Sequence, residues 1–202
     1  MASEADSRAL QRFYRWNAPI YDLTRWTILH FRRAAVEAMR LSPGMKVLDL
    51  GCGTGLSFRL ITRRIGHEGV LVGVDLSADM LRRAARRQTR NIHLICAEAG
   101  DLHLKPTFDA VLMAYSLTMI PKWESAIRHA SKHVREGGTI VILDFGRPEG
   151  RFSMFRRAFD RYLALNHVRT DRDLKGLLQQ NVNRVEVLRP VSSYATLLRG
   201  TR

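Results

Sequence analysis

The chain has 202 residues and a mass of 23.1 kDa, and 46% of its residues are hydrophobic, which is enough for one sizeable core and short for two. No apolar run approaches the roughly 18 residues of a membrane span, and the polar start does not resemble a signal peptide, so we expect a cytoplasmic protein. Two cysteines, Cys52 and Cys96, exclude a disulfide framework and a zinc site of the usual spacing, and we expect no metal.

The positive charge is the unusual bulk feature of the chain. The formal net charge is +14 and the isoelectric point is near 10.9, and arginine supplies 28 of the 33 basic residues. A field of this sign favours a polyanionic partner, and nucleic acid and an anionic membrane surface both meet that condition. A genome rich in arginine codons would place arginines on any protein surface, so charge alone does not identify the partner.

Two helices are predicted before the first strand. Residues 7–16 place apolar side chains on one face and arginines on another, which is typical of a two-faced basic helix. Residues 24–40 form the second predicted helix, which a Pro-Gly pair then ends. We predict that residues 1–41 form a lid or a membrane-contact segment and that residues 42–202 form the α/β domain.

From Lys46 onward, short apolar runs alternate with helical stretches, the pattern of βαβ units and a parallel sheet. One helical stretch, over residues 78–90, carries its arginines on two adjacent stripes, and another begins near Arg151. The predicted strands lie near residues 46–50, 70–75, 92–96, 109–114, 139–144, 184–188 and 194–199. We therefore predict a single doubly wound, Rossmann-like α/β domain with a seven-stranded, mostly parallel sheet.

The segment 47–55, Val-Leu-Asp-Leu-Gly-Cys-Gly-Thr-Gly, joins a buried strand to a helix through a glycine turn. Glycines are required where a ligand approaches the backbone closely or where φ is positive. Asp75 ends the next strand, about twenty residues on, where a carboxylate can accept the hydroxyls of a ribose. A nicotinamide site would instead carry Gly-x-Gly-x-x-Gly and a pyrophosphate. Here Asp49 precedes the first glycine, and its charge disfavours pyrophosphate but suits a nucleoside that carries an amino group and a sulfonium.

The pattern Asp49-x-Gly51-x-Gly53-x-Gly55 resembles the first motif of the class I S-adenosylmethionine-dependent methyltransferases, and the similarity covers most of the chain. The resemblance implies S-adenosylmethionine as the cofactor and Asp75 as its ribose ligand. The other cofactor-binding positions that it implies are Cys52 and Thr54 in the glycine loop, Leu76 and Met80 flanking the adenine, Glu98 and Ala99 at the adenine edge, and Ala114 and Tyr115 beside the transferred methyl group.

Two further positions refine this comparison. Glu98 stands where the family usually has aspartate, a departure that keeps the carboxylate. Gly137-Gly138 matches a turn that is common in the class before the fifth strand, so we expect the turn there.

Methyl transfer is an in-line displacement at a carbon that the sulfonium already activates. The protein therefore has to align the reactants and exclude water. No convincing general base is found in the sequence. This fits an amine nucleophile, which can lose its proton to solvent before it attacks.

Two stretches resemble a narrower group within this class, the small bacterial enzymes that methylate amines of lipid head groups, and more loosely the quinone C-methyltransferases. They are residues 14–25 and residues 114–123, the latter followed by 143–146 and 163–168. Together they most resemble the diacylglycerylhomoserine N-methyltransferases, with phosphatidylethanolamine N-methyltransferases close behind.

This narrower resemblance implies roles for individual side chains. Tyr21 and Tyr115 would lie near the methyl donor as catalytic residues, and Tyr21 and Arg25 would also contact the cofactor. An amine that gains methyl groups becomes a bulky cation, which aromatic faces bind well, although ordinary packing around the cofactor explains single aromatic residues as well. The residues expected to contact the substrate are Tyr14, Trp26, Met119 and His167.

We expect N-methylation of a lipid head-group amine, in successive steps of the betaine-lipid or phosphatidylcholine type, by an enzyme peripheral on the inner membrane face. The expected partners are the lipid substrate and an anionic membrane surface. One alternative is C- or O-methylation of a quinone or another small hydrophobic acceptor, where attack by carbon requires a deprotonated phenol. RNA methylation is disfavoured because no Asn/Asp-Pro-Pro-Tyr motif follows Asp109. A donor-binding scaffold without activity is disfavoured by the intact glycine motif and Asp75.

Overall fold

A computed structural model describes residues 29–105, 107–145, 172–188 and 195–202. The α-helices in these ranges are α1 (Leu29–Ala38), α2 (Phe58–Ile65), α3 (Ala78–Ala84), α4 (Trp123–His133) and α5 (Leu174–Gln179). The strands are β1 (Lys46–Leu50), β2 (Val70–Asp75), β3 (Ile92–Cys96), β4 (Phe108–Ala114), β5 (Val134–Phe145), β6 (Arg184–Leu188) and β7 (Ala195–Thr201).

These strands form one sheet in the order β3-β2-β1-β4-β5-β7-β6. Strands β1 to β5 pair in parallel, and β7 pairs antiparallel with both β5 and β6. The chain moves outward from β1 to β3 on one side and then from β4 on the other side. The strand order therefore reverses between β1 and β4, where open α/β sheets bind their ligands at the carboxyl ends of the strands. The predicted seven-stranded, mostly parallel fold is confirmed.

Alternate residues along the strands fill two hydrophobic layers, one on each side of the sheet. On the α1 face, helices α1, α2 and α3 pack on the sheet through residues such as Val47, Phe58 and Leu81. On the α4 face, helices α4 and α5 pack on it through residues such as Leu48 and Ile127. The central strands are thus buried on both sides, which explains why they read as nearly continuous apolar runs.

The helix predicted over residues 78–90 is shorter than expected. Its first turn is capped by Ser77, whose hydroxyl accepts a backbone N–H, but α3 ends at Ala84 and a 3₁₀ turn, Ala85–Arg87, follows. The chain then turns to an extended conformation at Gln88, whose side-chain amide donates to the first residue of β3 at 2.7 Å. The last arginines of the predicted stripes therefore lie beyond the α-helix.

Strand β5 begins at Val134, earlier than the predicted residue 139. The Gly137-Gly138 pair lies inside this strand rather than in a turn before it, which corrects the prediction. Gly137 has a positive φ of 72°, and the register with β4 shifts there. A Cβ on Gly138 would lie 2.9 Å from the carbonyl oxygen of Asp109, so the pair lets β5 bulge closely against β4.

Some predicted features lie outside the described residues. They are the helix over 7–16, the first part of the helix over 24–40 and the helix near residue 151. The later part of the second helix is observed as α1, and the division at residue 41 stays a prediction. Within the described ranges, no helix is both long enough and apolar enough to cross a membrane.

Candidate active site

A cavity lined mainly by apolar side chains, with a few polar groups, opens at the strand ends where the sheet order reverses. The loops that follow β1, β2, β3 and β4 form its wall. The lining residues are Gly51, Gly53, Asp75, Leu76, Ser77, Met80, Ala97, Glu98, Ala99, Tyr115, Ser116, Met119, Ile120 and Pro121.

The glycines of the loop after β1 serve different purposes. All three have positive φ, which is 76° at Gly51, 57° at Gly53 and 78° at Gly55. A Cβ at Gly51 would lie 2.4 Å from the Cβ of Ser116, and a Cβ at Gly55 would meet the ring of Phe58 at 2.7 Å. A Cβ at Gly53 would meet nothing within 4 Å, and Gly53 lines the cavity. Packing thus requires the outer two glycines, whereas Gly53 leaves room for a ligand.

Asp75, at the end of β2, holds the glycine loop and faces the cavity. One carboxylate oxygen accepts the N–H of Gly53 at 2.8 Å and the other accepts the N–H of Ser77 at 2.9 Å. Burial raises the pKa of Asp75, and these backbone bonds oppose the rise. Each carboxylate oxygen has more than one lone pair, so each can also accept a hydroxyl. The arrangement fits a ribose diol.

Asp49 is buried in β1 directly before the glycine loop. It is 1% exposed, and neither of its carboxylate oxygens has a hydrogen-bond partner among the described residues. Burial raises the pKa of Asp49 to about 7, with the charge of Arg32 opposing the rise and that of Asp75 adding to it. Buried polar atoms are nearly always hydrogen-bonded in native proteins. The orphaned carboxylate therefore fits a ligand that brings an ammonium group.

Arg32, on α1, is a buried residue of this region that the sequence reasoning missed. It is 4% exposed and donates to the hydroxyl of Ser57 at 2.9 Å and to the carbonyl of Ala114 at 3.4 Å. Its Cζ lies 5.4 Å from the ring centroid of Tyr115. The sequence could have indicated that Arg32 is buried, because its spacing of three and four residues from the core residues Ala35 and Val36 places it on the same helix face.

Glu98, after β3, brings a further buried carboxylate oxygen, and this one lies at the cavity. Its Oε2 accepts from Lys122 Nζ at 3.4 Å, while its buried Oε1 has no partner among the described residues. Leu76, Met80 and Ala99 line the cavity with it. An apolar slot with one carboxylate acceptor at its edge fits a purine ring that carries an exocyclic amine.

Tyr115 follows β4 in a strained conformation, with a φ of 55°. Such strain in a non-glycine residue persists only where the surroundings enforce it, and it is frequent at functional sites. The ring is 3% exposed and packs against Phe145, with ring centroids 4.9 Å apart. Asp144 fixes the same loop by accepting the hydroxyl of Thr118 at 2.6 Å and its N–H at 3.1 Å. Tyr115 is thus held rigidly beside the cavity.

The structure brings most of the sequence-predicted site residues to one place. Those that line the cavity are Gly51, Gly53, Asp75, Leu76, Met80, Glu98, Ala99, Tyr115 and Met119. Those that lie in the surrounding strand ends and loop without lining it are Asp49, Cys52, Thr54, Gly55 and Ala114. Those outside the described residues are Tyr14, Tyr21, Arg25, Trp26 and His167. The role of each in binding or catalysis stays a prediction.

Further residues line the cavity that the sequence reasoning did not single out. They are Ser77, Ala97, Ser116, Ile120 and Pro121. The last three belong to the stretch 114–123, whose resemblance to lipid-modifying enzymes was the available signal. In the part of the chain that the structure describes, no group of three His, Cys, Asp or Glu side chains is placed to hold a metal ion.

Known proteins resemble this chain in sequence and in fold. A family model described as a methyltransferase domain matches residues 47–138. The demethylmenaquinone methyltransferase of Mycobacterium bovis is 31% identical over 172 residues, which cover 80% of this chain and 68% of that protein. Its counterpart from Tropheryma whipplei is 30% identical over 162 residues, 76% of this chain and 66% of that protein.

The fold comparison agrees with the sequence comparison. A crystal structure of an S-adenosylmethionine-dependent methyltransferase from Aquifex aeolicus matches with a TM-score of 0.73 at 18% identity and covers 91% of this chain and 97% of that one. On this sequence similarity and this cavity, the chain belongs to the class I S-adenosylmethionine-dependent methyltransferases.

Proposed function

We propose that the chain methylates a ring carbon of a reduced, quinone-type aromatic acceptor. This was the alternative among the sequence-based expectations, and the names of the two bacterial relatives support it. The structural observation that carries the proposal is the buried guanidinium of Arg32, whose Cζ lies 5.4 Å from the ring centroid of Tyr115, a residue that lines the cavity.

The charge of Arg32 distinguishes between the two classes of acceptor. A head-group amine that gains methyl groups becomes a permanent cation, which an aromatic ring such as that of Tyr115 can bind. The Arg32 guanidinium already lies over that ring, 5.4 Å from its centroid, so the ring is less available to a methylated ammonium. A phenolate, by contrast, is stabilised by a buried cation. The electrostatics therefore favour an acceptor that passes through an anion.

The roles of the chain's own residues follow from the geometry. The methyl donor, when bound, supplies a carbon activated by its sulfonium. Asp75 and Glu98 hold the nucleoside, and Asp49 holds the amino group. Met119 and Ile120 line the cavity next to Tyr115, and these apolar side chains exclude water from the reacting atoms.

The reaction balances without a redox partner. The phenol of the acceptor loses a proton, which the charge of Arg32 favours, and the ring carbon forms a bond to the methyl group as the sulfonium–carbon bond breaks. The ring carbon then loses its proton to solvent, which restores aromaticity, and the phenolate oxygen takes up a proton, so one proton is released for each methyl group transferred. The products are the methylated hydroquinone and S-adenosylhomocysteine.

A lipid head-group amine, methylated in one or several steps, is the competing acceptor. The likeness of residues 14–25 and 114–123 to lipid-modifying enzymes supports it. Both acceptor classes reside in membranes, so we also propose that the enzyme works as a peripheral protein on the cytoplasmic membrane face. The net charge of +14 supports this placement.

The test offers both acceptors in one assay. The protein is incubated with methyl-labelled S-adenosylmethionine and vesicles that contain reduced demethylmenaquinone and phosphatidylethanolamine, and the lipids are separated by chromatography. We expect label in the quinone fraction. Label in the phosphatidylethanolamine fraction, with none in the quinone, would overturn the proposal in favour of the amine.

A variant tests the role of Arg32 in the same assay. Arg32→Met removes the charge, and at saturating S-adenosylmethionine we expect a rate loss of about ten- to a hundredfold that shrinks as the pH rises, because the phenol then ionises unaided. Arg32→Lys keeps a charge and should retain more activity. Donor binding and the circular dichroism spectrum confirm that each variant is folded. A rate loss that does not depend on pH would contradict this role.

A further inference from the structure

The α1 face carries a layer of arginines on its outer surface. These residues lie on α1, α2, α3 and the connection from α3 to β3, and their side chains are exposed, or half-exposed in the case of Arg83. The arginine layer consists of Arg33, Arg59, Arg63, Arg64, Arg82, Arg83, Arg86, Arg87 and Arg90.

Few negative charges offset this layer. In the same described segments the carboxylates are Glu37, whose Oε1 lies 3.8 Å from Arg64, and Asp79, which pairs with Arg82. Both pairs are exposed enough that each is worth little. The two described helices of the α4 face are much closer to balanced. On these helices or at their N-caps the cations are Lys122, Arg128, Lys132 and Lys175, and the acids are Glu124 and Asp173.

The arginines lie close enough to repel one another. Arg33, Arg63 and Arg64 line one surface groove between α1 and α2, with Glu37 among them, and Arg59 and Arg63 are four residues apart on α2. Like charges at this spacing destabilise a helix. An external polyanion would relieve the repulsion, so the arginine layer would be more stable against an anionic surface than in solvent.

We propose that the arginine layer docks the enzyme on an anionic lipid bilayer, with the guanidinium groups on the lipid phosphates. Three helices packed side by side on one sheet face present these charges over a broad area, which suits a planar partner. Among the described residues the exposed large hydrophobic side chain is Val187, on β6, so the docking is electrostatic and the helices of the layer do not insert.

The layer extends to the edge of the sheet that holds the cofactor cavity. Arg59 lies in the first turn of α2, directly after the glycine loop, and Arg87 donates to the carbonyl of Thr54 in that loop at 2.8 Å. Docking through this face therefore brings the cavity edge toward the bilayer. This docking rests on the proposed membrane location and would serve either class of membrane acceptor.

The test uses the whole chain, two vesicle compositions and two matched variants. Vesicles of phosphatidylcholine with about 30% phosphatidylglycerol are compared with pure phosphatidylcholine by co-sedimentation. The layer variant is Arg59→Gln, Arg63→Gln, Arg86→Gln, which leaves the Arg64–Glu37 and Arg82–Asp79 ion pairs intact. The control variant, Arg128→Gln, Lys132→Gln, Lys175→Gln, removes as many charges from the α4 face.

We expect binding to the anionic vesicles only, and a loss on the order of a hundredfold in the layer variant, because each basic residue near the surface contributes about fivefold. The control variant should lose less than about threefold, and salt at about 0.5 M should abolish binding. Equal losses in the two variants, no binding to either vesicle, or tighter binding of an RNA oligonucleotide with the same sensitivity to the layer variant would each overturn the proposal.

Discussion

Two buried aspartates at the carboxyl edge of the sheet have the same chemistry and opposite surroundings. Asp144, at the end of β5, is fully buried and accepts three hydrogen bonds, two from Thr118 and one from the N–H of Phe145. Asp49, at the end of β1, is 1% exposed and accepts none among the described residues. The fold satisfies one carboxylate and leaves the other without a hydrogen-bond partner among the described residues, so equal burial does not mean an equal structural role.

The largest effect that we expect is a pH dependence of stability in the ligand-free protein. Folding raises the pKa of Asp49 from 3.8 to about 7. Between these values the folded state holds a proton that the unfolded state has lost, so the free energy of unfolding falls as the pH rises through this window. The contribution of Asp49 is on the order of 4 kcal/mol, and Asp49→Asn should lack it.

Urea unfolding of both proteins between about pH 4 and about pH 8 measures this contribution. Burial also raises the pKa values of Asp75 and Asp144, but those groups are present in both proteins and cancel in the difference. Parallel stability curves would mean that Asp49 is paired in the folded state.

The second prediction concerns the satisfied carboxylate. Asp144→Asn removes the negative charge that accepts three hydrogen bonds, and its amide N–H₂ would face one of the three donors. We therefore expect the free energy of unfolding to fall by about 3 kcal/mol. Thr118→Val, which removes only the hydroxyl bond, should cost about 1 to 2 kcal/mol. Thermal and urea unfolding measure both variants. If Asp144→Asn matched the wild type in stability, the distinction between the two aspartates would fail.

The sequence predicted the central sheet well because its strands are buried on both faces. Strands β1 and β2 have the predicted bounds, since each is a largely buried apolar run, and the partly buried edge strand β3 has them as well. The start of β5 was missed because the bulge at Gly137 depends on the register with β4. The early end of α3 was missed because Gln88 bonds to β3, a contact that helical periodicity does not encode.

In the candidate site, too, residues in local motifs were predicted and residues held by distant contacts were missed. Gly51, Gly53 and Asp75 belong to a local motif, and the structure places them at the cavity. Arg32 was missed because its acceptors, Ser57 and the carbonyl of Ala114, are distant in sequence. Local patterns identify residues that a ligand needs at fixed spacing, whereas side chains held by tertiary contacts become evident only in the folded chain.

The third prediction tests Asp49 as a ligand-binding group. Asp49→Asn removes the charge that would meet the donor's ammonium, and we expect S-adenosylmethionine to bind about 30- to 100-fold more weakly, or about 2 to 3 kcal/mol. Asp109→Asn is the matched control, because Asp109 bonds to Lys46 and Arg135 away from the cavity. Calorimetry should find its affinity unchanged. A full-affinity Asp49→Asn protein would assign the ammonium to another group.

The smallest expected effect compares two glycines with positive φ, one that lines the cavity and one that lies away from it. Gly53→Ala places a methyl group where no atom lies within 4 Å, at a φ of 57°, and the left-handed conformation should lower stability by about 1 kcal/mol. Because Gly53 lines the cavity, S-adenosylmethionine should also bind about tenfold more weakly. Gly137→Ala, with a φ of 72° in the β5 bulge, imposes the same strain away from the cavity and should leave affinity unchanged. Equal affinities in the two variants would mean that Gly53, like Gly137, is required by the chain's conformation and not by the donor.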